Sequence, residues 1–227
     1  MIRTFFVFLL ASICSYSNGQ SKMALEIFRQ LPADKIYDLT IGTRDSMLQG
    51  KTYYPAENDK DQVVAYNYGI SIHDKNYIYV SMFYETGQRG TSMTEIRIFK
   101  TPNGANLVIV SKTSGVWQVT YGQHELSYFI YNKNKKLVPY KKVVFPAMDE
   151  RIFMKPGIPD SARKTILNNS NMHFDFSHKK VTLNLSSEFI TNNIMIRKLL
   201  KGNSIYFNWI KDRFVVGEIK FQSLYYP

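Results

Sequence analysis

Between Val63 and Phe145 apolar and polar side chains alternate with period two in short runs separated by turn residues, and no helical interval breaks the series. The pattern predicts an antiparallel meander. Val64, Tyr66, Tyr68, Ile70 and Ile72 share one face of a first strand, and Asp74-Lys75-Asn76 turns the chain. Ile78, Val80, Met82 and Tyr84 alternate with Tyr77, Tyr79, Ser81 and Phe83, so both faces of this strand are expected to be covered. A loop with Gly87 and Gly90 comes next. Thr94 to Thr101 and Leu107 to Thr113 flank Pro102-Asn103-Gly104, where proline fixes its own φ and Asn-Gly accepts positive φ, a hairpin signal. Val116 to Tyr121 and Leu126 to Tyr131 read as two more strands about a turn at Gly122-Gln123-His124-Glu125. Asn132 to Lys136 then turns into Leu137 to Phe145, which Pro139 limits to an edge or broken strand.

On the N-terminal side, Ser21 can cap a short helix with Leu25 and Phe28 on one face, ended by Leu31-Pro32. Asp34 can cap a second helix carrying the stripe Ile36, Leu39, Thr43 and Met47, with Gly50 at its stop. The polar run Ala56 to Gln62 links these helices to the sheet. On the C-terminal side Pro146, Pro156, Gly157 and Pro159 mark a connection. A helix is expected from Ser161 to Leu167, a hairpin from Met172 to Phe176 and Val181 to Ser186, and a helix from about Thr191 to Lys201. A final hairpin pairs Ser204 to Ile210 with Phe214 to Phe221 about Lys211-Asp212-Arg213. The order is neither βαβ alternation nor all-β. It predicts an α+β fold: an antiparallel β-meander packed against N-terminal helices over residues 20–145, then a helix-hairpin-helix-hairpin portion over 146–227, the two packed as one compact unit.

Composition adds an address. Met1-Ile2-Arg3-Thr4 precedes an apolar run from Phe5 to Cys14, and Ser17-Asn18-Gly19 supplies small residues, so residues 1–19 read as a secretory signal removed before Gln20. The apolar run is shorter than the ~20 residues that span a bilayer, and no transmembrane segment is expected elsewhere. The one cysteine, Cys14, lies inside this leader. Ile13 stands where a lipid-attachment site takes a small residue, so a discarded cysteine is expected rather than a lipoprotein anchor. The mature chain then has neither disulfides nor thiolate metal sites.

The net charge of +11 raises the question of polyanions. Export argues against nucleic acid, and the basic residues Lys133, Lys135, Lys136, Lys141, Lys142, Lys179, Lys180, Lys198 and Lys201 are dispersed, which leaves anionic glycan or lipid head groups. Among groups that could do chemistry, His173, Asp175 and His178 come nearest to a two-histidine, one-carboxylate metal site. The competing reading is a hairpin with Phe174 and Phe176 inward and polar residues outward, and it is preferred. His73-Asp74 and His124-Glu125 sit at expected turns, and Glu85, Glu95 and Asp175 form no pair fit for glycoside hydrolysis. Gly-x-Ser-x-Gly is absent, and Gly87-Gln88-Arg89-Gly90 lacks the lysine of a phosphate loop. No catalytic, cofactor-binding or metal residue is therefore assigned. Tyr53, Tyr54, Tyr66, Tyr68, Tyr77, Tyr79, Tyr84, Tyr121, Tyr128 and Tyr131 could offer rings to a sugar or peptide, but tyrosine also fills half-buried strand positions routinely.

Leu25-Glu26-Ile27-Phe28-Arg29-Gln30-Leu31-Pro32, Leu39-Thr40 with Arg44-Asp45-Ser46-Met47-Leu48, Phe145-Pro146-Ala147-Met148-Asp149 and Ile205-Tyr206-Phe207-Asn208-Trp209 closed by Phe214 together resemble a family of secreted domains of unknown function found in Bacteroidetes. The turn before Phe214 lacks the glycine expected of that pattern. The resemblance implies export and a structured domain, and it brings no activity or site. In that context Asp45-Ser46-Met47 and Asp160-Ser161-Ala162 resemble O-glycosylation acceptors. The functional expectation is a non-enzymatic envelope module, periplasmic or at the cell surface, with a protein or glycan partner. The rivals are a hydrolase or glycan-processing enzyme and a purely structural subunit.

Overall fold

The computed structural model describes residues 22–49, 53–55, 65–84, 90–116, 119–176, 180–186, 190 and 192–222. The expected leader, Gly50, the link from Ala56 to Gln62, Glu85 and His178 lie outside them. Two compact units divide the chain after Tyr140.

In the first unit, strands β1 (Tyr53–Pro55), β2 (Ala65–Asp74), β3 (Tyr77–Tyr84), β4 (Gly90–Lys100), β5 (Asn106–Val116), β6 (Val119–Tyr131) and β7 (Leu137–Pro139) form one antiparallel sheet whose spatial order is the chain order. The register aligns Ile78, Ile96 and Val110 in one row and Ile98, Val108 and Phe129 in the next. Period two then places these residues with Val80 on one face. A helix α1 over residues 22–30, a 3₁₀ turn Ala33–Lys35 and helix α2 (Ile41–Leu48) cover that face. Ala24, Ile27, Phe28, Leu31, Ile36, Leu39 and Met47 join the sheet residues in one buried core. Tyr77, Leu107 and Ile109, on the opposite face, are buried as well, so β3 and β5 are closed on both sides.

Polar contacts fix how the helices sit. Gln30 donates from Nε2 to the Lys135 carbonyl at 2.9 Å and accepts from the Leu137 amide at 3.0 Å, and Tyr131 donates to Glu26 at 2.6 Å. Burial and the Glu26 carboxylate push the Tyr131 phenol up to about 12. Arg44, only 2% exposed, donates to the carbonyls of Arg29 (2.9 Å), Leu31 (2.6 Å), Phe28 (3.3 Å) and Leu39 (2.9 Å). It thereby occupies carbonyls at the C-terminal end of α1 that have no partner within the helix, where the helix dipole favours a cation.

Several expectations are corrected. No helix runs from Asp34. Tyr37 and Asp38 both take φ of 54°, which breaks the chain, and α2 begins only at Ile41, where Thr40 Oγ1 accepts from the Thr43 amide. Ile36 and Leu39 reach the core from irregular backbone. Gly122 to Glu125 is not a turn: β6 runs straight through it, pairing Gln123 with Ser114 and His124 with Thr113. The sequence pattern does not mark strand β1, and the last strand, β7, ends at Pro139, with one further backbone bond from the Tyr140 amide to the Tyr128 carbonyl at 2.8 Å. The Pro102-Asn103-Gly104 turn stands as read, with Gly104 at φ 80° and the Ala105 amide bonded to Asn103 Oδ1 at 3.1 Å.

The second unit is built on β8 (Asn171–Asp175), β9 (Thr182–Ser186), β10 (Ser204–Ile210) and β11 (Arg213–Lys220), antiparallel in the order β11-β10-β9-β8. Helices α3 (Asp160–Asn168) and α4 (Ile194–Leu199) flank the strands in sequence. Helix α4 is shorter than the expected Thr191 to Lys201 because Asn193 caps it from its side chain, accepting from the Met195 and Ile196 amides at 3.1 Å. The core here is aromatic. Phe145 stacks on Phe214 with centroids 4.3 Å apart and meets Phe207 edge-on at 5.3 Å, with Phe174 at 4.4 Å and Phe176 at 6.3 Å. Irregular chain is stitched to regular elements by backbone bonds: Phe214 N–H to Val144 O (2.8 Å), Lys155 N–H to Leu199 O (2.9 Å) and Lys201 N–H to Phe153 O (2.7 Å). Lys211, at φ 61°, supplies the left-handed residue of the last turn without a glycine.

Candidate functional site

The register of the second sheet collects residues that are distant in sequence. His173 pairs with Asn184 and Asn184 with Ser204, while Asp175 pairs with Thr182 and Thr182 with Tyr206. Alternation sends Phe174, Leu183 and Ile205 to the opposite face. One face therefore carries two polar rows, within which Thr182, Asn184 and Ser204 are each at most 2% exposed. Ser204 Oγ donates to Asn184 Oδ1 at 2.7 Å. An amide oxygen cannot take a proton from a hydroxyl at neutral pH, so this contact holds the serine without activating it. Burial pushes the His173 imidazole below its ordinary range, against the opposing pull of Asp175, which leaves it neutral at pH 7. Thr182 Oγ1 is buried with no hydrogen-bond partner.

His173 and Asp175 do lie on one face, as the sequence pattern required, and two ligands do not define a metal site. His178, the third member, is outside the described residues, and among the described residues no three His, Cys, Asp or Glu side chains come together to hold a metal. Phe176 is fully buried, as the hairpin reading expects, but the polar residues are not outward as that reading has them: Thr182 and Asn184 are buried and His173 and Asp175 half-buried. The side chains of His73, Asp74 and His124 are not described. Glu125 is ion-paired with Lys35, whose hydrogen bond holds the carboxyl below its usual range. Glu95 accepts from Tyr77 at 2.9 Å. Tyr77 and Tyr131 are buried and Tyr79 and Tyr128 half-buried, consistent with tyrosine as a strand filler. Asp45 pairs with Arg29 at 2.6 Å beside a half-buried Ser46, whereas Ser161 is exposed.

A surface feature went unread in the sequence. Ile210, Val215 and Val216, at the turn end of the β10–β11 hairpin, are 47%, 38% and 36% exposed. Ile210 pairs with Arg213 and Asn208 with Val215, which places Ile210, Asn208 and Val215 on one face. Strand β11 is the edge of its sheet, yet it is a blunted edge. The Phe214 amide is taken by Val144, and Gly217 with Glu218 stands opposite the one residue Tyr206 in a bulge. A Cβ at Gly217 would lie 2.8 Å from the Tyr206 carbonyl oxygen, so the bulge requires glycine. What stays open on that face is the apolar pair Ile210 and Val215 rather than a long ladder of free backbone groups; Val216, opposite Phe207, belongs to the other face.

No family model and no curated protein matches the chain. A solved structure does: a domain of an uncharacterized protein from Porphyromonas gingivalis W83, 16% identical, aligned over 86% of this chain and 98% of that one with a TM-score of 0.53. The likeness extends to the fold. It agrees with a Bacteroidetes domain of unknown function.

Proposed function

We propose that this chain is an exported, non-enzymatic module of the cell envelope that binds a partner, a protein in preference to a glycan, through the turn end of its last hairpin. The observation that carries the reading is the pair Ile210 and Val215, two aliphatic side chains held in the open on one face of the hairpin beside Arg213 and Lys211. Aliphatic side chains give a protein interface its desolvated centre, whereas a glycan is gripped by aromatic faces and hydrogen bonds. The leader-like first nineteen residues support the envelope setting. Within the buried polar rows the serine is bound to an amide and the histidine is neutral.

The test is site-specific photocrosslinking of the chain beginning at Gln20 to detergent-solubilised envelope proteins of the native host. A benzophenone side chain at position 215 should give an adduct of one reproducible mass that excess unlabelled protein competes away. The same group at the exposed Lys164 of α3 should give none. Indistinguishable adduct patterns from the two positions, or turnover of a chromogenic glycoside or peptide panel by the purified chain, would overturn the reading.

A further inference from the structure

Helix α4 presents a second surface of different chemistry. Ile194 and Met195 are 70% and 69% exposed, while Ile196 and Leu200 beside them are buried. On a helix, residues three and four apart are neighbours, so Ile194 adjoins Arg197 and Lys198, and Met195 adjoins Lys198. Lys155 reaches the same element from outside it, and Lys201 follows it in the chain with its ammonium on the turn Glu150–Phe153. Lys155 donates from Nζ to the Lys198 carbonyl at 2.8 Å, and Lys201 from Nζ to the Ile152 carbonyl at 3.4 Å. Phe221, 39% exposed, lies under the Arg197 guanidinium at 5.0 Å from its ring centre. Two protruding aliphatic side chains thus adjoin Arg197 and Lys198, with Lys155 bonded to the C-terminal end of the same helix.

The surroundings carry the same sign. Over residues 141–227 the chain has fourteen Lys and Arg against seven Asp and Glu, a net +7 of the whole chain's +11. Lysine is depleted from the centres of protein interfaces, because its ammonium group is costly to strip of water. At a lipid surface the same side chain keeps its head among anionic phosphates while its stem and the neighbouring apolar residues enter the acyl boundary.

We propose that this face is a peripheral membrane contact: Ile194 and Met195 enter the headgroup–acyl boundary of an anionic bilayer, and Arg197 and Lys198, with Lys155 at the helix end, engage its phosphates. Contact through α4 leaves the hairpin pair as a separate surface, and the proposal stands independently of any partner bound there.

The experiment is flotation of the chain beginning at Gln20 with vesicles of phosphatidylcholine containing about one third phosphatidylglycerol, beside vesicles of phosphatidylcholine alone. Binding is expected to the anionic vesicles and to fall as salt rises. The pair Ile194→Asp and Met195→Asp should weaken it about tenfold or more, whereas Ile41→Asp, equally open but on α2, should not. A variant carrying Met195→Cys, labelled with an environment-sensitive dye on an otherwise cysteine-free chain, should shift to the blue on anionic vesicles. This readout serves even if the aspartate pair fails to fold. Three results would overturn the proposal: no binding, a dye that does not shift, or loss caused equally by Ile41→Asp. A fourth is binding to soluble polyglutamate that equals vesicle binding and ignores the aspartate pair, since that marks an acidic polymer as the ligand.

Discussion

The two units close their cores by different means. In the first, aliphatic residues of four neighbouring strands lie under two helices, and a buried arginine ties the helix ends together. In the second, a cluster of phenylalanines fills a four-stranded sheet and irregular chain is sewn to it by backbone bonds. Their surfaces differ too. Among the described residues the large apolar side chains left open in the first unit are Ile41 and Val138; in the second they are Val143, Ile194, Met195, Ile210, Val215, Val216 and Phe221. The second unit also holds most of the net positive charge, +7 of +11. Open aliphatic side chains beside cations equip the described surface of the second unit for contact.

The sharpest way to break this contrast is to open each core. Phe207→Ala removes a ring that is 2% exposed and touches Phe145, Phe174 and Phe214, and should cost about 3–5 kcal/mol. The loss should register in urea unfolding followed through Trp209, which adjoins Phe214 at 4.9 Å. Arg44→Met should cost about 3 kcal/mol, because carbonyls that it satisfies are left buried and unpaired. Arg44→Lys should recover little of that, since one ammonium group cannot copy the guanidinium fork. A lysine variant as stable as wild type would show that charge, not the fork, matters at this position.

A smaller effect sharpens the reading of the polar rows. His173 has its folded-state pKa lowered from 6.5, so below that pH the unfolded chain binds a proton that the folded chain refuses. Stability is therefore fully present above about pH 6.5 and falls as pH drops, with a slope of at most about 1.4 kcal/mol per pH unit. His173→Gln should flatten that slope in pH-dependent unfolding curves, and an unchanged slope would assign it to another group. Smallest is Asn193→Ala, about 1 kcal/mol, from loss of the α4 cap. Hydrogen exchange should find the amides of Met195 and Ile196 faster in that variant, with the first unit unaffected.

Strands whose partners follow directly along the chain were the readable part of the fold. Period two and a turn with its own chemistry sufficed for β3, for the Pro102-Asn103-Gly104 hairpin and for β10 with β11. The misreadings have physical causes. Ile36, Leu39 and Met47 fit a helical stripe, yet a loop with two left-handed residues delivers the first two to the same core, so the spacing did not discriminate. Gly122 to Glu125 has turn composition, and pairing of Gln123 to Glu125 with Lys112 to Ser114 on β5 overrides it. The polar rows were half legible. His173 and Asp175 are two apart on one strand, but Asn184 and Ser204 join them only through the register of three strands. The open residues Ile194 and Met195 look like any apolar pair until burial is known.

The claim that matters most is that the second unit's hairpin is the binding surface. Its direct test is a fluorescence-anisotropy titration of the labelled chain with detergent-solubilised envelope proteins, comparing wild type with the double variant Ile210→Asp, Val215→Asp. The account predicts saturable binding that weakens about tenfold or more in the variant while its urea midpoint stays at the wild-type value. Saturable binding of equal strength in both proteins would contradict it.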